Sequence, residues 1–142
     1  MKFIDKHFVY FDQCDPAGIL YFAESFSLAH RSIERFIEES GIGWSNWFNN
    51  DTTAFPIGHA SCDYFRPIFA GSQINISVAV TDLSPSTVCF SSTAEESGEE
   101  KFRVASVHTA IDKQRLAKTN IPADIFQKLR QFQQEDQTII KV

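Results

Sequence analysis

The sequence predicts an α+β domain in which one long helix lies against a curved antiparallel sheet. Three observations predict it. A single long stretch, from about Tyr21 to Glu39, carries Phe22, Phe26, Ala29, Ile33, Phe36 and Ile37 at steps of three and four, the spacing of one helical face. A strand-like segment precedes it. Four more strand-like segments follow, separated by short turns.

The chain has 142 residues. That length fits one domain, residues 1–142, able to bury roughly two thirds of the surface of its unfolded chain. Phe3 to Phe11 is rich in aromatic and branched residues and reads as the first strand. Gln13-Cys14-Asp15-Pro16-Ala17-Gly18 interrupts it with turn chemistry. The helix comes next, and Gly41 stops it. Residues 43–53 are polar with two tryptophans and read as a loop, with room for a short helical turn. Beyond Pro56 the strands are expected at about 57–66, 73–83, 87–96 and 101–112. Ser84-Pro85-Ser86 and Ser97-Gly98-Glu99 supply hairpin turns, and Pro67 to Gly71 separates the first two strands. Consecutive strands joined this way are expected to pair antiparallel. Asn120 and Pro122 open a last helix with Ile125, Leu129 and Phe132 on one face. Residues from Glu135 onward are expected to fray.

Composition narrows the function. Thirteen Lys+Arg against eighteen Asp+Glu leave a net charge of −5. No basic run stands out, which argues against nucleic acid as a partner. No apolar stretch approaches a membrane span, and no secretory leader pattern opens the chain. Three scattered cysteines argue against a disulfide framework and for the cytoplasm. No Cys pair has zinc spacing, so no Cys/His zinc cluster is expected. Fourteen phenylalanines suit a rigid core or a pocket for a flat ligand.

The densest chemistry lies in Asp12-Gln13-Cys14-Asp15-Pro16-Ala17-Gly18-Ile19-Leu20-Tyr21-Phe22. Pro16 pushes Asp15 into an extended conformation and stiffens the turn that presents its carboxylate. Ala17 and Gly18 let a ligand approach the backbone. The long helix then begins, and its first N–H groups carry partial positive charge. A fixed carboxylate near such amides suits acyl transfer, one group acting on the carbonyl carbon or on water and the other holding the oxyanion. The same residues also make an ordinary turn.

This segment resembles the active-site run of the 4-hydroxybenzoyl-CoA thioesterases of the hotdog fold. Pro56-Ile57 entering a strand and Ile121-Pro122-Ala123-Asp124 opening the last helix are similar too. The resemblance implies a helix wrapped by an antiparallel sheet, pairing of two chains with active sites at their interface, a homodimer or homotetramer, and an acyl-CoA substrate. It implies no metal and no cofactor, since coenzyme A is part of the substrate. Carried over, Asp15 is the catalytic carboxylate, as nucleophile or as general base. The Phe22 N–H polarises the thioester carbonyl, Gly18 shapes that site, and Tyr21 walls the pocket.

Two departures matter. The basic cluster that meets the nucleotide phosphates in that family is replaced at the turn by Ser84-Pro85-Ser86. Arg66, Arg103, Lys113, Arg115 and Lys118 are the alternative phosphate contacts, or solvated surface cations. The run from Pro56 to Pro67 resembles instead the branch that hydrolyses 1,4-dihydroxy-2-naphthoyl-CoA. There His59 and Asp63 share one face of a strand, and His59 either contacts a substrate hydroxyl or is structural. Cys14 reads as a small thiol, Glu24 as an acid serving the helix dipole, His30 as a packed histidine, and Trp44 and Trp47 as core or pocket-edge residues.

The expected function is hydrolysis of an aromatic, 4-hydroxybenzoyl-like CoA thioester. The alternatives are a 1,4-dihydroxy-2-naphthoyl-CoA thioesterase and a non-catalytic acyl-CoA or acyl-carrier binding module. A hydratase is disfavoured, because its helix-borne acid–histidine motif is missing.

Overall fold

The structure is a computed structural model and describes residues 2–133. The elements are β1 (Phe3–Phe8), a 3₁₀ turn at Phe11–Gln13, α1 (Glu24–Glu39), α2 (Trp44–Phe48), β2 (Thr53–Ala54), β3 (Ile57–Tyr64), β4 (Gln73–Leu83), β5 (Thr87–Glu96), β6 (Glu99–Thr109), β7 (Ile111–Asp112), β8 (Ala117–Lys118) and α3 (Ala123–Gln131). No helix among the described residues is long and apolar enough to cross a membrane.

Five strands form the main sheet in the order β1-β4-β5-β6-β3, every neighbouring pair antiparallel. The short strands β2, β7 and β8 make a separate small sheet. Alternation along the strands gives the main sheet one buried face, and α1 lies on it. Ile33, Phe36 and Ile37 pack with Val78, Val80, Val88 and Phe90, and with Ile125 and Leu129 of α3. Leu28 and Ala29, one helical turn earlier, pack with Ile74, Ile76, Ala94, Phe102 and Val104. The expected hotdog architecture is present.

Local signals set most boundaries. The strands at 73–83 and 87–96 fall where expected. Gly41, with φ of +91°, ends α1 in the left-handed conformation that glycine tolerates. Differences arise where longer-range bonds win. β1 ends at Phe8, because the Tyr10 N–H donates to Gln13 Oε1 and curls the chain into the 3₁₀ turn. α1 begins at Glu24, because the Leu20 and Tyr21 N–H groups donate to the Ile68 and Gln13 carbonyls and keep the chain extended. The last strand breaks at Ala110, whose N–H turns to the Ser86 carbonyl, and the chain continues as β7 in the small sheet. The residues from Glu135 onward lie outside the described residues.

One topological expectation is corrected. β3 and β4 follow each other but do not pair; β3 is an edge strand beside β6, and β4 lies between β1 and β5. The connection between them is occupied elsewhere. Ile68 and Ala70 bond with Leu20 and Gly18, and Phe69 bridges Ile19. The crossover is thereby stitched to the segment that leads into α1, which brings β3, the acidic turn and the helix start to one end of the molecule.

Candidate active site

Asp15-Pro16-Ala17-Gly18 is a closed turn. Asp15 Oδ1 accepts the N–H of Ala17 at 2.9 Å and of Ile19 at 3.2 Å. The Gly18 N–H donates to the Asp15 carbonyl at 2.9 Å. Gly18 has φ of +78°, so the turn needs a residue without Cβ there. Its amide is already used, so Gly18 contributes shape rather than a free donor. Asp15 Oδ2 has no hydrogen-bond partner among the described residues.

Beyond the turn, the Glu24 N–H donates to the Tyr21 carbonyl at 2.9 Å as α1 starts. The N–H groups of Phe22 and Ala23 find no acceptor among the described residues. Ala23 is the N-cap and has no side chain to fold back over them. The positive end of α1 is therefore open. It meets a cavity of about 280 Å³ whose lining includes Phe22, Tyr64, Phe65, Arg66, Ile68 and Phe102. Asp15 is not among the lining residues.

The predicted site residues divide. Phe22 and Arg66 share this cavity. Arg66 is exposed, with its Nε 3.5 Å from Glu99. Tyr21 packs against Phe22 with the rings tilted by 51° and their centroids 4.9 Å apart. His59 is not brought to them. The register of β3 on β6 places Ala60, Cys62 and Tyr64 opposite the inward-facing Ser106, Val104 and Phe102, so His59, Ser61 and Asp63 occupy the outer face. Cys14 donates from its thiol to the Tyr10 carbonyl at 3.6 Å. Burial and the nearby Asp15 and Asp12 carboxylates push its pKa up, which keeps it a thiol. His30 pairs with Glu34 at 3.2 Å. Trp47 is buried and stacks on Phe55 at 3.8 Å, while Trp44 is exposed and donates its indole N–H to Glu34.

Two residues escaped the sequence reading. Tyr64, at the end of β3, donates its hydroxyl to the Phe22 carbonyl. Ser25, fully buried in the first turn of α1, donates to the same carbonyl at 2.7 Å. The only signal for Ser25 was a serine where the apolar face of the helix should continue.

The start of α1 has open amides and follows a carboxylate-bearing turn by a few residues, on a helix packed against an antiparallel sheet, and open amides of this kind can stabilise the charge that develops in acyl transfer. The family model of the thioesterase-like superfamily matches residues 9–129. The chain belongs to that superfamily and is a thioester hydrolase. It is 33 % identical over 131 residues to a 1,4-dihydroxy-2-naphthoyl-CoA hydrolase of Nostoc punctiforme, covering 91 % of this chain and 87 % of that one. A protein of the same name from Crocosphaera subtropica is 28 % identical over 130 residues, covering 89 % and 95 %. The crystal structure of a 1,4-dihydroxy-2-naphthoyl-CoA thioesterase from Synechocystis superposes with a TM-score of 0.84 over 92 % of this chain and 96 % of that one, at 22 % identity. That last likeness speaks for the fold.

Proposed function

We propose that this enzyme hydrolyses an aromatic acyl-CoA thioester, with an acyl group of the 1,4-dihydroxy-2-naphthoyl type in preference to the 4-hydroxybenzoyl type. The observation that carries the chemistry is that the Phe22 N–H is uncommitted on a residue that lines a cavity with aromatic walls. The naphthoyl choice is supported by the names of relatives that span about nine tenths of the chain.

In this reading the thioester oxygen sits against the Phe22 amide, which stabilises the charge that develops there. Asp15, with Oδ2 unengaged, attacks the carbonyl carbon and expels the coenzyme A thiolate, leaving an acyl–aspartyl anhydride that water hydrolyses, or takes a proton from a water that attacks the carbon as the thiolate leaves. Tyr21 walls the acyl group. Arg66 exchanges Glu99 for a phosphate of coenzyme A. The chemistry draws on these residues and water, with coenzyme A entering as part of the substrate.

The proposal includes pairing of two copies through β3. This edge strand has almost every residue exposed, including Ile57 and Tyr64, with Phe65 just beyond. A long bare edge with apolar side chains is a template for another strand, and pairing there would close the cavity at Phe22 from the partner's side. Three free thiols, Cys14, Cys62 and Cys89, suit the reducing cytoplasm the proposal assigns.

The test is release of free thiol from benzoyl-, 4-hydroxybenzoyl-, 1,4-dihydroxy-2-naphthoyl- and short aliphatic CoA thioesters side by side. The expected result is the highest kcat/KM on the bicyclic substrate. Preference for the hydroxybenzoyl thioester overturns the naphthoyl assignment. Tight binding without release from any of them overturns the catalytic reading in favour of a binding module.

A further inference from the structure

At a helix N-terminus the groups in need of partners are N–H donors, and an ordinary cap supplies an acceptor. The first turn of α1 does the reverse. Two hydroxyl donors, from Tyr64 and Ser25, converge on the Phe22 carbonyl, and their oxygens lie 2.8 Å apart. Neither occupies an N–H. Tyr64 arrives from β3, 42 residues further along the chain, so this bond ties the start of the helix to the edge strand. Tyr64 also lines the cavity at Phe22.

A carbonyl and the N–H of the next residue are the two ends of one peptide unit. Donors on the Phe22 carbonyl therefore polarise the Ala23 N–H and fix its direction. The Tyr21 carbonyl, which shares its peptide with the Phe22 N–H, accepts the Glu24 N–H. Both open amides thus belong to peptides held from behind. Burial pushes the Tyr64 phenol above its usual pKa, so it remains protonated and able to donate.

We propose that Tyr64 and Ser25 are positioning residues for the hydrolysis, holding the first peptides of α1 so that the Phe22 and Ala23 amides stay aimed at the thioester oxygen. This inference rests on the reading of the helix end as the oxyanion site. It makes Ala23 the second amide of that site. It also makes the oxyanion site depend on β3, the strand at which the partner is proposed to pair.

The experiment compares wild type, Tyr64→Phe, Ser25→Ala and the double variant, with Asp15→Asn as a parallel control and 1,4-dihydroxy-2-naphthoyl-CoA as the probe. Tyr64→Phe keeps the ring and removes only the hydroxyl. The expected loss is about tenfold in kcat, with KM within about twofold of wild type. The double variant is expected to lose less than the product of the two single losses, because both hydroxyls serve one carbonyl. Thermal midpoints within about 3 °C of wild type separate positioning from general destabilisation. A Tyr64→Phe enzyme with unchanged kcat overturns the inference, as does a kcat loss matched by an equal rise in KM. If Asp15→Asn abolishes turnover while Tyr64→Phe leaves it intact, the positioning inference alone is lost. If Asp15→Asn turns over normally, the underlying catalytic reading is lost.

Discussion

Asp15 and Ile19 are bonded in both directions across the acidic turn. The Asp15 N–H donates to the Ile19 carbonyl at 2.8 Å, and the Ile19 N–H donates back to Asp15 Oδ1 at 3.2 Å. One carboxylate oxygen is therefore structural and the other is unengaged. Asparagine can supply the structural oxygen but carries no charge. Asp15→Asn is expected to lower kcat by about 10²- to 10⁴-fold, with little change in KM or thermal midpoint. Asp15→Ala is expected to lose the turn as well as the chemistry, and so to lower the midpoint too. Steady-state kinetics and thermal denaturation on both variants check this. An asparagine variant as unstable as the alanine one would show that the charge, not the acceptor, holds the turn.

Arg66 lines the cavity while its guanidinium pairs loosely with Glu99 on the surface. Lys101 bonds the same Glu99 carboxylate at 3.0 Å and, more than any other group, holds its pKa below the ordinary carboxylate range. Glu99 therefore stays satisfied when Arg66 swings away. Arg66→Ala is expected to raise KM roughly tenfold for CoA thioesters, the size of one charge-assisted contact. The same acyl group on N-acetylcysteamine, which has no phosphates, is expected to show no change. An equal effect on both thioesters would place Arg66 at the acyl group instead.

How much of this was legible in the sequence follows the range of the interactions. Phe36 and Ile37 declared the buried face of α1, and Pro16 with Gly18 declared the acidic turn, because helical spacing and turn geometry are written within a few residues. The pairing of β3 was not local. Whether Tyr64 lies opposite Phe102 or opposite a β4 residue depends on where the crossover at Ile68 is tied, and that tie is made to Leu20. The reach of the Tyr64 hydroxyl to Phe22 follows from the same event. His59 and Asp63 share one face, as their spacing predicts, but which face depends on the register with β6. Buried polar residues such as Ser25 and Ser32 look like breaks in an apolar stripe until their partners are seen.

His108 on β6 is 2 % exposed and packed against Phe90 and Trp47. Burial, reinforced by the neighbouring His30, lowers its pKa from 6.5 to about 4. The unfolded chain takes up a proton near pH 6.5 and the folded chain does not until near pH 4. Stability is therefore full above pH 6.5 and falls as the pH drops between these values, by about 3 kcal/mol in all. Burial also lowers the pKa of His7, which adds in the same direction. Urea denaturation at steps from pH 7.5 to 4 is expected to show this loss. His108→Gln is expected to flatten the profile; a variant with the wild-type slope would assign the acid sensitivity to other groups.

Asp5 is a buried carboxylate under α1, only 8 % exposed, with Oδ2 at 3.2 Å from the Ser32 hydroxyl and 3.0 Å from His7 Nε2. His7 Nε2 also lies 2.7 Å from Ser32 Oγ, so the three groups form a closed triangle. A Ser–His–Asp catalytic relay needs the aspartate on one ring nitrogen and the serine on the other. Here both use Nε2, and Ser32 is fully buried, so the cluster bridges β1 to α1 and is no nucleophile. Asp5 and His7 also line an open groove of about 510 Å³ between these elements, from which water can reach the carboxylate. Ser32→Ala therefore leaves Asp5 with His7 and water, at an expected cost of about 1 kcal/mol. Asp5→Ala strands the buried Ser32 hydroxyl with His7 alone and is expected to cost more, about 2 to 3 kcal/mol. Denaturant unfolding of both variants measures the difference, and thiol release should be unchanged in each. A Ser32→Ala protein that loses turnover while remaining fully stable would return the cluster to the catalytic machinery.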